Sequence, residues 1–188
     1  MIRSVCVFCG SAPGARPSYS AAAEELGTAL GRSGRTLVYG GGRLGLMGIV
    51  AESALKAGGR VIGVIPRMLI ERELAHVQLT VQHVVETMHE RKTLMAELSD
   101  AFVGLPGGMG TFDELVEIVT WAQLGLHEKP VICANIDRYF EPMYAMLDYA
   151  VAEKFVTAES RARWRNAESV PRVMQLLSKE GVGGEGSP

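Results

Sequence analysis

Cysteine is scarce in this sequence, and its placement argues against a fold held by disulfides. Only three cysteines occur in 188 residues, at Cys6, Cys9 and Cys133. An odd number, in a chain with no recognisable secretory leader, is not typical of a disulfide framework. Cys6 and Cys9 have the C-x-x-C spacing of redox and metal sites, but they fall in a predicted strand, where alternation turns them to opposite faces. We predict that both are small buried apolar residues.

Long hydrophobic runs and an excess of one charge are also missing. No apolar run approaches the roughly 20 residues that a membrane-spanning helix needs. The net charge of -2 gives no general reason to expect nucleic acid or an anionic membrane as a partner. Residues 1–3 pass directly into a short apolar stretch and lack the layout of a signal peptide. We therefore expect a cytoplasmic protein that binds neither nucleic acid nor membrane.

Metal-ligand spacing is absent from the sequence as well. Its four histidines are scattered, and no set of His, Cys, Asp and Glu residues has the short spacings of a metal centre. We expect no metal and no cofactor, and we interpret each histidine as a surface or packing residue. They are His76, His83, His89 and His127.

Short apolar stretches alternate with amphipathic ones along the chain, which predicts strands separated by helices. Strands are predicted at residues 4–8, 36–39, 60–65, 77–85, 101–105 and 130–134. Helices are predicted at 19–30 with Ser18 as N-cap, 44–56, 88–99, 111–124, 139–153 and 170–178, with a loop and one helical turn at 67–76. This order is typical of the α/β class, as a Rossmann-like, doubly wound parallel sheet with helices on both faces. We predict one domain over 1–180 and a flexible tail at 181–188.

Three glycine-containing turns follow predicted strands, which is where ligands bind in such folds. They are Cys9-Gly10-Ser11, Gly40-Gly41-Gly42 and Gly107-Gly108-Met109-Gly110-Thr111. A glycine turn that opens a helix presents free backbone N–H groups, and the helix dipole adds partial positive charge. Two such turns in one sheet favour a ligand that carries at least one phosphate.

Two other interpretations of the glycines remain open. A dinucleotide-binding G-x-G-x-x-G would follow the first strand, but that strand ends in CGSAPG. The stretch from Gly40 to Gly45 follows the second strand and matches the pattern only loosely. Alternatively, the glycines at 40–42 serve only the close packing of a helix against the sheet.

Thr111 and Glu114 also allow two interpretations. Thr-x-x-Glu ahead of an apolar run is a capping box, in which the hydroxyl and the carboxylate satisfy the first N–H groups of a helix. Alternatively, Glu114 lies at the mouth of the glycine turn, beside any anion held there, and meets the reacting part of a bound nucleotide.

Arg91 occupies an unusual place in its predicted helix. A projection of residues 88–99 places Arg91 in the middle of the apolar arc and Lys92 at its edge. A buried guanidinium is costly unless an anion or dense hydrogen bonding meets it. Either both side chains extend to the rim, or Arg91 points into a cleft with an anionic ligand or a carboxylate. Glu114 is a natural partner for it.

Two motifs together carry a resemblance to a known family. The stretch MHERK at 88–92 is followed by PGGMGTFDE at 106–114; CGS, YGGGRLGLMG and TWAQLGLHEKP occur elsewhere in matching order. Over nearly its whole length the chain resembles the Lonely Guy family of cytokinin-activating phosphoribohydrolases, with its PGGxGTxxE motif. Many members were labelled lysine decarboxylases, but no pyridoxal-phosphate site is recognisable around the five lysines here.

The resemblance implies hydrolysis of N6-substituted adenosine 5′-monophosphates to free base and ribose 5-phosphate, by a homodimer with its cleft near the interface. It implies Arg91 and Glu114 as the catalytic pair. The candidate substrate-binding residues, from the glycine turns and from the resemblance, are Gly10, Ser11, Gly41, Gly42, Glu73, Met88, Arg91, Lys92, Gly107, Gly108, Met109, Gly110, Thr111, Phe112, Asp113 and Thr120. Relatives often carry glutamate where Asp113 stands and tyrosine where Met109 stands.

The chemistry is compatible with these residue types. Cleavage of an N-glycosidic bond develops positive charge at C1′, which a carboxylate such as Glu114 stabilises while it orients or deprotonates water. Arg91 either holds Glu114 ionised and in place or assists the departing base. Two alternatives remain open: a non-catalytic carrier of a nucleotide or a molybdenum-cofactor-type phosphate ligand, and a general AMP nucleosidase.

Overall fold

A computed structural model describes residues 1–73, 75–76 and 78–179, without the side chains of 71–73. Within these residues, seven parallel strands form one sheet in the order β4-β3-β2-β1-β5-β6-β7. The strands are β1 (Ser4–Phe8), β2 (Thr36–Tyr39), β3 (Val61–Pro66), β4 (Val81–Val85), β5 (Ala101–Gly104), β6 (Val131–Ala134) and β7 (Trp164–Ala167). The inner strands β3, β5 and β6 are buried throughout, as apolar strands covered on both faces should be. The edge strand β4 exposes alternate residues.

Helices pack against both faces of the sheet, which confirms the predicted doubly wound architecture. They are α1 (Pro17–Arg32), α2 (Gly45–Lys56), α3 (Arg67–Glu73), α4 (Met88–Glu97), α5 (Met109–Gln123), α6 (Glu141–Ala152), α7 (Ala158–Ala162) and α8 (Val170–Lys179), with a 3-10 turn at Ile136–Arg138. Apolar residues of α1, α2 and α8 form the core on one face. Residues of α4, α5 and α6 form the core on the other.

Most predicted elements are confirmed with small shifts at their ends, and three details are corrected. Residues 67–73 form a helix rather than a loop with one turn. Ser18 is not the N-cap of α1, because the helix begins at Pro17 with Arg16 as N-cap, and the Ser18 hydroxyl instead donates to Asp137. Helix α7 and strand β7 were not predicted, since the sequence WRNA of β7 has no apolar run. The predicted tail at 181–188 lies outside the described residues.

The three cysteines are buried and free, as predicted. Cys6 belongs to the core on one face of the sheet, and Cys9 belongs to the core on the other. Strand alternation therefore separates the two sulfurs of the C-x-x-C spacing, and neither redox chemistry nor shared metal binding fits them.

The strand order reverses beside β1, which is the place where ligands bind in open parallel sheets. Strand β1 pairs with β2 on one side and with β5 on the other. The turns after β1 and β5 therefore meet, and the Gly10 N–H donates to the Pro106 carbonyl at 3.1 Å. A Cβ at Gly10 would lie 3.2 Å from the Gly107 Cα, so the contact between the two turns requires glycine at position 10. No helix among the described residues is long and apolar enough to cross a membrane.

Candidate active site

The N-terminus of α5 forms a set of backbone donors beside this crevice. The helix begins at Met109 with Gly108 as N-cap, and its first backbone hydrogen bond runs from Phe112 N to Gly108 O at 3.1 Å. The N–H groups of Gly108 to Thr111 precede that bond, so they are the donors that a helix leaves for a ligand. We call these four residues the cradle.

The cradle lines a cavity of about 180 Å³ that also holds the two candidate catalytic side chains. We call it the cradle cavity. Its other walls come from the turn after β1, the start of α2 and the inner side of α4. Its lining residues are Cys9, Gly10, Ser11, Met47, Arg91, Gly108, Met109, Gly110, Thr111 and Glu114.

Thr111 does not cap α5, so the capping-box interpretation of Thr111 and Glu114 is wrong. With Gly108 as N-cap, Thr111 is the third residue of the helix and Glu114 the sixth. A side-chain cap with a related arrangement occurs at α4, where Thr87 is the N-cap and the Glu90 carboxylate bonds the residue before it. There the Thr87 hydroxyl accepts a hydrogen bond from Glu90 N at 3.1 Å, and the Glu90 carboxylate accepts one from Glu86 N at 2.9 Å.

Arg91 points into the protein, as the helical projection indicates, and it does not extend to the rim. Its relative exposure is 6%. The guanidinium Nε donates to Val64 O at 3.1 Å, and Nη2 donates to Gly40 O at 2.8 Å. Carbonyls at the ends of two neighbouring strands therefore hold a cationic side chain against the cradle cavity, which makes that cavity attractive to an anion.

Glu114 reaches the same cavity from α5. The Cys9 thiol lies near enough to both charges to respond to them. Its pKa is raised above the ordinary range by burial and by the Glu114 carboxylate, while Arg91 opposes the increase. Cys9 is therefore a protonated, apolar part of the cavity wall, and the charged groups available for chemistry here are Glu114 and Arg91.

Lys92 binds two carboxylates of α5. Its Nζ lies 3.1 Å from Asp113 Oδ2 and 3.0 Å from Glu117 Oε2, and its side chain is only 15% exposed. The partners share one face of α5, one turn apart. Lys92 thus ties α4 to α5, next to the helical positions that carry Arg91 and Glu114. The structure brings Lys92 and Asp113 together beside the cradle cavity rather than in its lining.

The glycines at 40–42 serve packing and the placement of Arg91. A Cβ at Gly40 would overlap the Arg91 guanidinium, and a Cβ at Gly41, whose φ is +76°, would lie 3.0 Å from Ile65. The Leu46 N–H at the start of α2, which follows this turn, donates to Gly10 O at 3.0 Å. Gly41 and Gly42 are not among the residues that line the cradle cavity, and their role in substrate binding stays a prediction.

The remaining candidates lie at different distances from the cavity. Phe112 is partly buried and stacks on Tyr139, and Met88 contacts Arg91 Nη1 through its sulfur at 3.9 Å. Thr120 is exposed, and its hydroxyl donates to Val116 O at 2.8 Å. The side chain of Glu73 lies outside the described part of the chain.

A second cavity, of about 200 Å³, adjoins the first and is mainly apolar. The two share Gly10, Ser11 and Gly108. We call the second one the apolar cavity. It is lined by Gly10, Ser11, Ala12, Pro13, Gly14, Tyr19, Leu46, Pro106, Gly107, Gly108 and Tyr139. Sequence reasoning missed Met47 and Tyr139 as neighbours of the cradle, because each is ordinary in its own element and only the fold brings it there.

Among the described residues, no cluster of three or more His, Cys, Asp or Glu side chains has the arrangement of a metal centre. Fold and site together are typical of a nucleotide-binding α/β protein, because the N-terminus of a helix opens onto a cavity that Arg91 and Glu114 also line.

Comparison with known proteins assigns the family. Residues 47–177 match the family model described as "Possible lysine decarboxylase". The chain is 49% identical over 162 residues to a cytokinin riboside 5′-monophosphate phosphoribohydrolase of Rhodococcoides fascians, covering 86% of this chain and 82% of that protein. It is 46% identical over 177 residues to the enzyme of that name from Oryza sativa, covering 94% and 72%. The chain belongs to this family, the Lonely Guy family, as the paired motifs predict.

Solved structures with the same fold include proteins of another kind. A molybdenum cofactor binding protein of Rippkaea orientalis superimposes with a TM-score of 0.71 at 20% identity, covering 97% of this chain and 99% of that one. A molybdenum cofactor carrier protein of Chlamydomonas reinhardtii gives 0.70 at 22% identity, covering 95% and 97%. At such identities the likeness establishes the fold alone.

Proposed function

We propose that this protein hydrolyses the N-glycosidic bond of N6-substituted adenosine 5′-monophosphates, which releases the free base and ribose 5-phosphate. The observation that carries the proposal is the cradle cavity, where Arg91 and Glu114 meet the free N–H groups of α5. The names of relatives at 46–49% identity support this reaction and substrate class.

Substrate binding begins at the cradle. The 5′-phosphate accepts hydrogen bonds from the N–H groups of Gly108 to Thr111, at the positive end of the α5 dipole. Gly10 and Ser11 close the opposite wall of the cavity. Because the phosphate is remote from the bond that breaks, its binding energy positions C1′ of the ribose without changing the chemistry.

Glu114 is the residue that meets the reacting carbon. As the C1′–N bond breaks, positive charge develops on the ribose, and an ionised carboxylate beside C1′ stabilises it. The same carboxylate orients or deprotonates the attacking water, whose oxygen forms the new bond to C1′. The electron pair of the broken bond leaves with the base.

Arg91 lines the same cavity as Glu114. Since Gly40 O and Val64 O hold its guanidinium in one orientation, the positive charge is already in place before substrate arrives. It either holds the Glu114 carboxylate in place or favours the electron pair that accumulates on the departing base. Lys92, Asp113, Phe112 and Met88 are further candidate substrate contacts; they belong to the two helices, α4 and α5, that carry Arg91 and Glu114.

Product analysis tests the proposal directly. The purified protein is incubated with isopentenyladenosine 5′-monophosphate and, separately, with AMP, and the mixtures are separated by chromatography. We expect free base and ribose 5-phosphate from the first substrate, and the ratio of the two rates distinguishes cytokinin activation from general AMP hydrolysis. Both nucleotides returning intact, with one retained per protein molecule, would instead support a carrier.

We also propose a homodimer, in which one stripe of α5 lies at the interface. Met109, Val116 and Leu124 are exposed by 81%, 49% and 67%, and with Asp113 and Thr120 they recur at the spacing of one helix face. Thr120 lies nine residues along the helix from Thr111, or about 14 Å. Thr120 would therefore contact a substrate held in the cleft of the partner subunit rather than in the cleft of its own subunit.

The cytoplasmic location expected from the sequence stays a prediction.

Sedimentation equilibrium measures the dimer. The native chain is expected at twice the mass of 20.3 kDa, and Val116→Arg at the mass of a monomer, because a charge buried in the stripe has no partner. Phe155→Arg is the control, since Phe155 is 87% exposed but lies beyond the C-terminal end of α6. A native chain that sediments as a monomer at micromolar concentration would contradict the proposal.

A further inference from the structure

We propose that Tyr139 is a positioning residue of the cradle, which orients the peptide between Gly107 and Gly108 so that the Gly108 N–H points at the bound phosphate. The proposal rests on the proposed function, in which the cradle holds that phosphate. The Tyr139 hydroxyl donates a hydrogen bond to the Gly107 carbonyl, and none of the family motifs in this sequence includes Tyr139.

The geometry of a peptide unit links this hydrogen bond to the cradle. A trans peptide is planar, so the Gly107 carbonyl and the Gly108 N–H point in opposite directions. Tyr139 and Gly107 line the apolar cavity, whereas Gly108 lines both cavities. When Tyr139 holds the carbonyl on the apolar side, the N–H is held on the side of the cradle cavity.

The peptide needs such a restraint because the chain around it permits rotation. Glycines flank it on both sides and allow backbone angles that other residues avoid. A Cβ at Gly107 would overlap Thr111 and lie 2.8 Å from Gly10 N, so that side of the peptide is closely packed, whereas a Cβ at Gly108 would meet nothing within 4 Å and that side is open. Rotation of this peptide would turn the Gly107 carbonyl oxygen, instead of the Gly108 N–H, towards the phosphate. The hydrogen bond from the N–H would then be replaced by repulsion between two negatively polarised oxygens.

Aromatic contacts hold the Tyr139 ring in place. Its centroid lies 5.6 Å from that of Tyr19 in an edge-to-face contact and 5.2 Å from that of Phe140 in another. It also stacks on Phe112 of α5, at 6.4 Å and an interplanar angle of 20°. The ring is thus fixed against the helix whose N-terminus it helps to arrange, which lowers the entropy cost of the hydrogen bond.

The backbone before Tyr139 is unusual, and the unusual part lies directly ahead of it. Asp137 and Arg138 both have left-handed φ values, +50° and +61°, which is unfavourable for residues other than glycine. The Asp137 carboxylate accepts a hydrogen bond from the Ser18 hydroxyl and lies 3.7 Å from an Arg16 nitrogen. Two strained residues held by side-chain contacts place Tyr139 under the cradle, and strain of this kind concentrates at functional sites.

Calorimetric titration of Tyr139→Phe with ribose 5-phosphate and with inorganic phosphate tests the proposal. We expect the Kd of both ligands to increase about three- to tenfold, the range that one neutral hydrogen bond supplies. With nucleotide substrate, KM should increase by a similar factor while kcat changes less than about twofold. Tyr144→Phe is the matched control, because it removes a partly buried hydroxyl whose partner is Asn166, away from the cavity. Its Kd values should equal those of the native chain.

The outcomes separate this proposal from the proposed function. Native protein that binds ribose 5-phosphate but hydrolyses no nucleotide would contradict the function and leave the role of Tyr139 standing. Unchanged Kd values in folded Tyr139→Phe, or native protein that binds neither ligand, would overturn the role of Tyr139. If Tyr139→Phe does not fold, the exposed Ser18→Ala replaces it. If Ser18→Ala increases the Kd of ribose 5-phosphate and of inorganic phosphate, the result supports the proposal. If both Kd values equal those of the native protein, the result overturns it.

Discussion

Glu114→Gln is expected to lower kcat by about two to four orders of magnitude, the usual contribution of one acid–base group, while KM stays within about threefold. Glutamine keeps the size and shape of the side chain but carries no negative charge. It can neither stabilise positive charge at C1′ nor accept a proton from water. In the proposed binding mode, backbone N–H groups that the substitution does not touch bind the phosphate, so ground-state binding should be preserved.

Steady-state kinetics and thermal unfolding of the same preparations check this prediction. A capping role no longer competes as an explanation, because α5 begins at Met109 with Gly108 as N-cap, and Thr111 is its third residue. Glu128→Gln is a suitable control, since Glu128 is exposed just beyond α5, and it should have native kcat and KM. Full turnover by a folded Glu114→Gln variant would show that the carboxylate only binds and that the catalytic assignment is wrong.

Removal of the Arg91 side chain is expected to abolish activity and to destabilise the fold together. In Arg91→Ala, the buried carbonyls of Gly40 and Val64 lose their donors. Each unsatisfied group costs about 1–3 kcal/mol. Arg91→Ala therefore does not separate catalysis from folding.

Two milder substitutions separate them. Arg91→Lys keeps the charge but lacks the fork that bonds two carbonyls at once, and Gly40→Ala keeps the arginine but inserts a Cβ where the guanidinium lies. Both are expected to lower kcat/KM at least tenfold, because a displacement of about 1 Å in a catalytic group has effects of that order. Each should still unfold cooperatively by circular dichroism.

Arg67→Lys is the control for the charge-conserving change. Arg67 is an exposed arginine whose guanidinium bonds Glu86 at 3.0 Å, outside both cavities. Its substitution should leave kcat/KM unchanged. Native kcat/KM in both Arg91→Lys and Gly40→Ala would mean that Arg91 supports only the fold, and the cationic part of the proposed mechanism would then be withdrawn.

Much of this fold follows from local patterns. Apolar runs such as 101–104 and 131–134 predict buried parallel strands, and the strands alternate with helices in the order that the structure shows. Helical periodicity places Arg91 on the apolar arc of its helix, and the structure decides for the inward orientation over the rim. Strand β7 was missed because its residues, Trp164 to Ala167, are polar in the middle and join the sheet only at its edge.

Local patterns were less informative where two distant segments meet. Thr111 and Glu114 match the sequence pattern of a capping box. However, the turns after β1 and β5 approach each other closely, and this contact sets where α5 begins. As a result, Thr111 is not the N-cap residue. Gly41 resembles part of an anion site, yet contacts with β3 make it a packing residue. Lys92 has two acidic partners on another helix, and the pattern of its own helix contains no sign of them.

The sequence by itself determined the class of fold, the place of Arg91 on the apolar arc of its helix, the glycine turn that opens α5 and the family, because each depends on residues close together in the chain. Only the tertiary structure decided which glycine turn offers free N–H groups. Only the tertiary structure, likewise, showed which carbonyls accept hydrogen bonds from Arg91 and that Tyr139 lies beside Gly107. These contacts join residues 27 to 51 positions apart, and their geometry is set by how strands and helices pack rather than by any local periodicity.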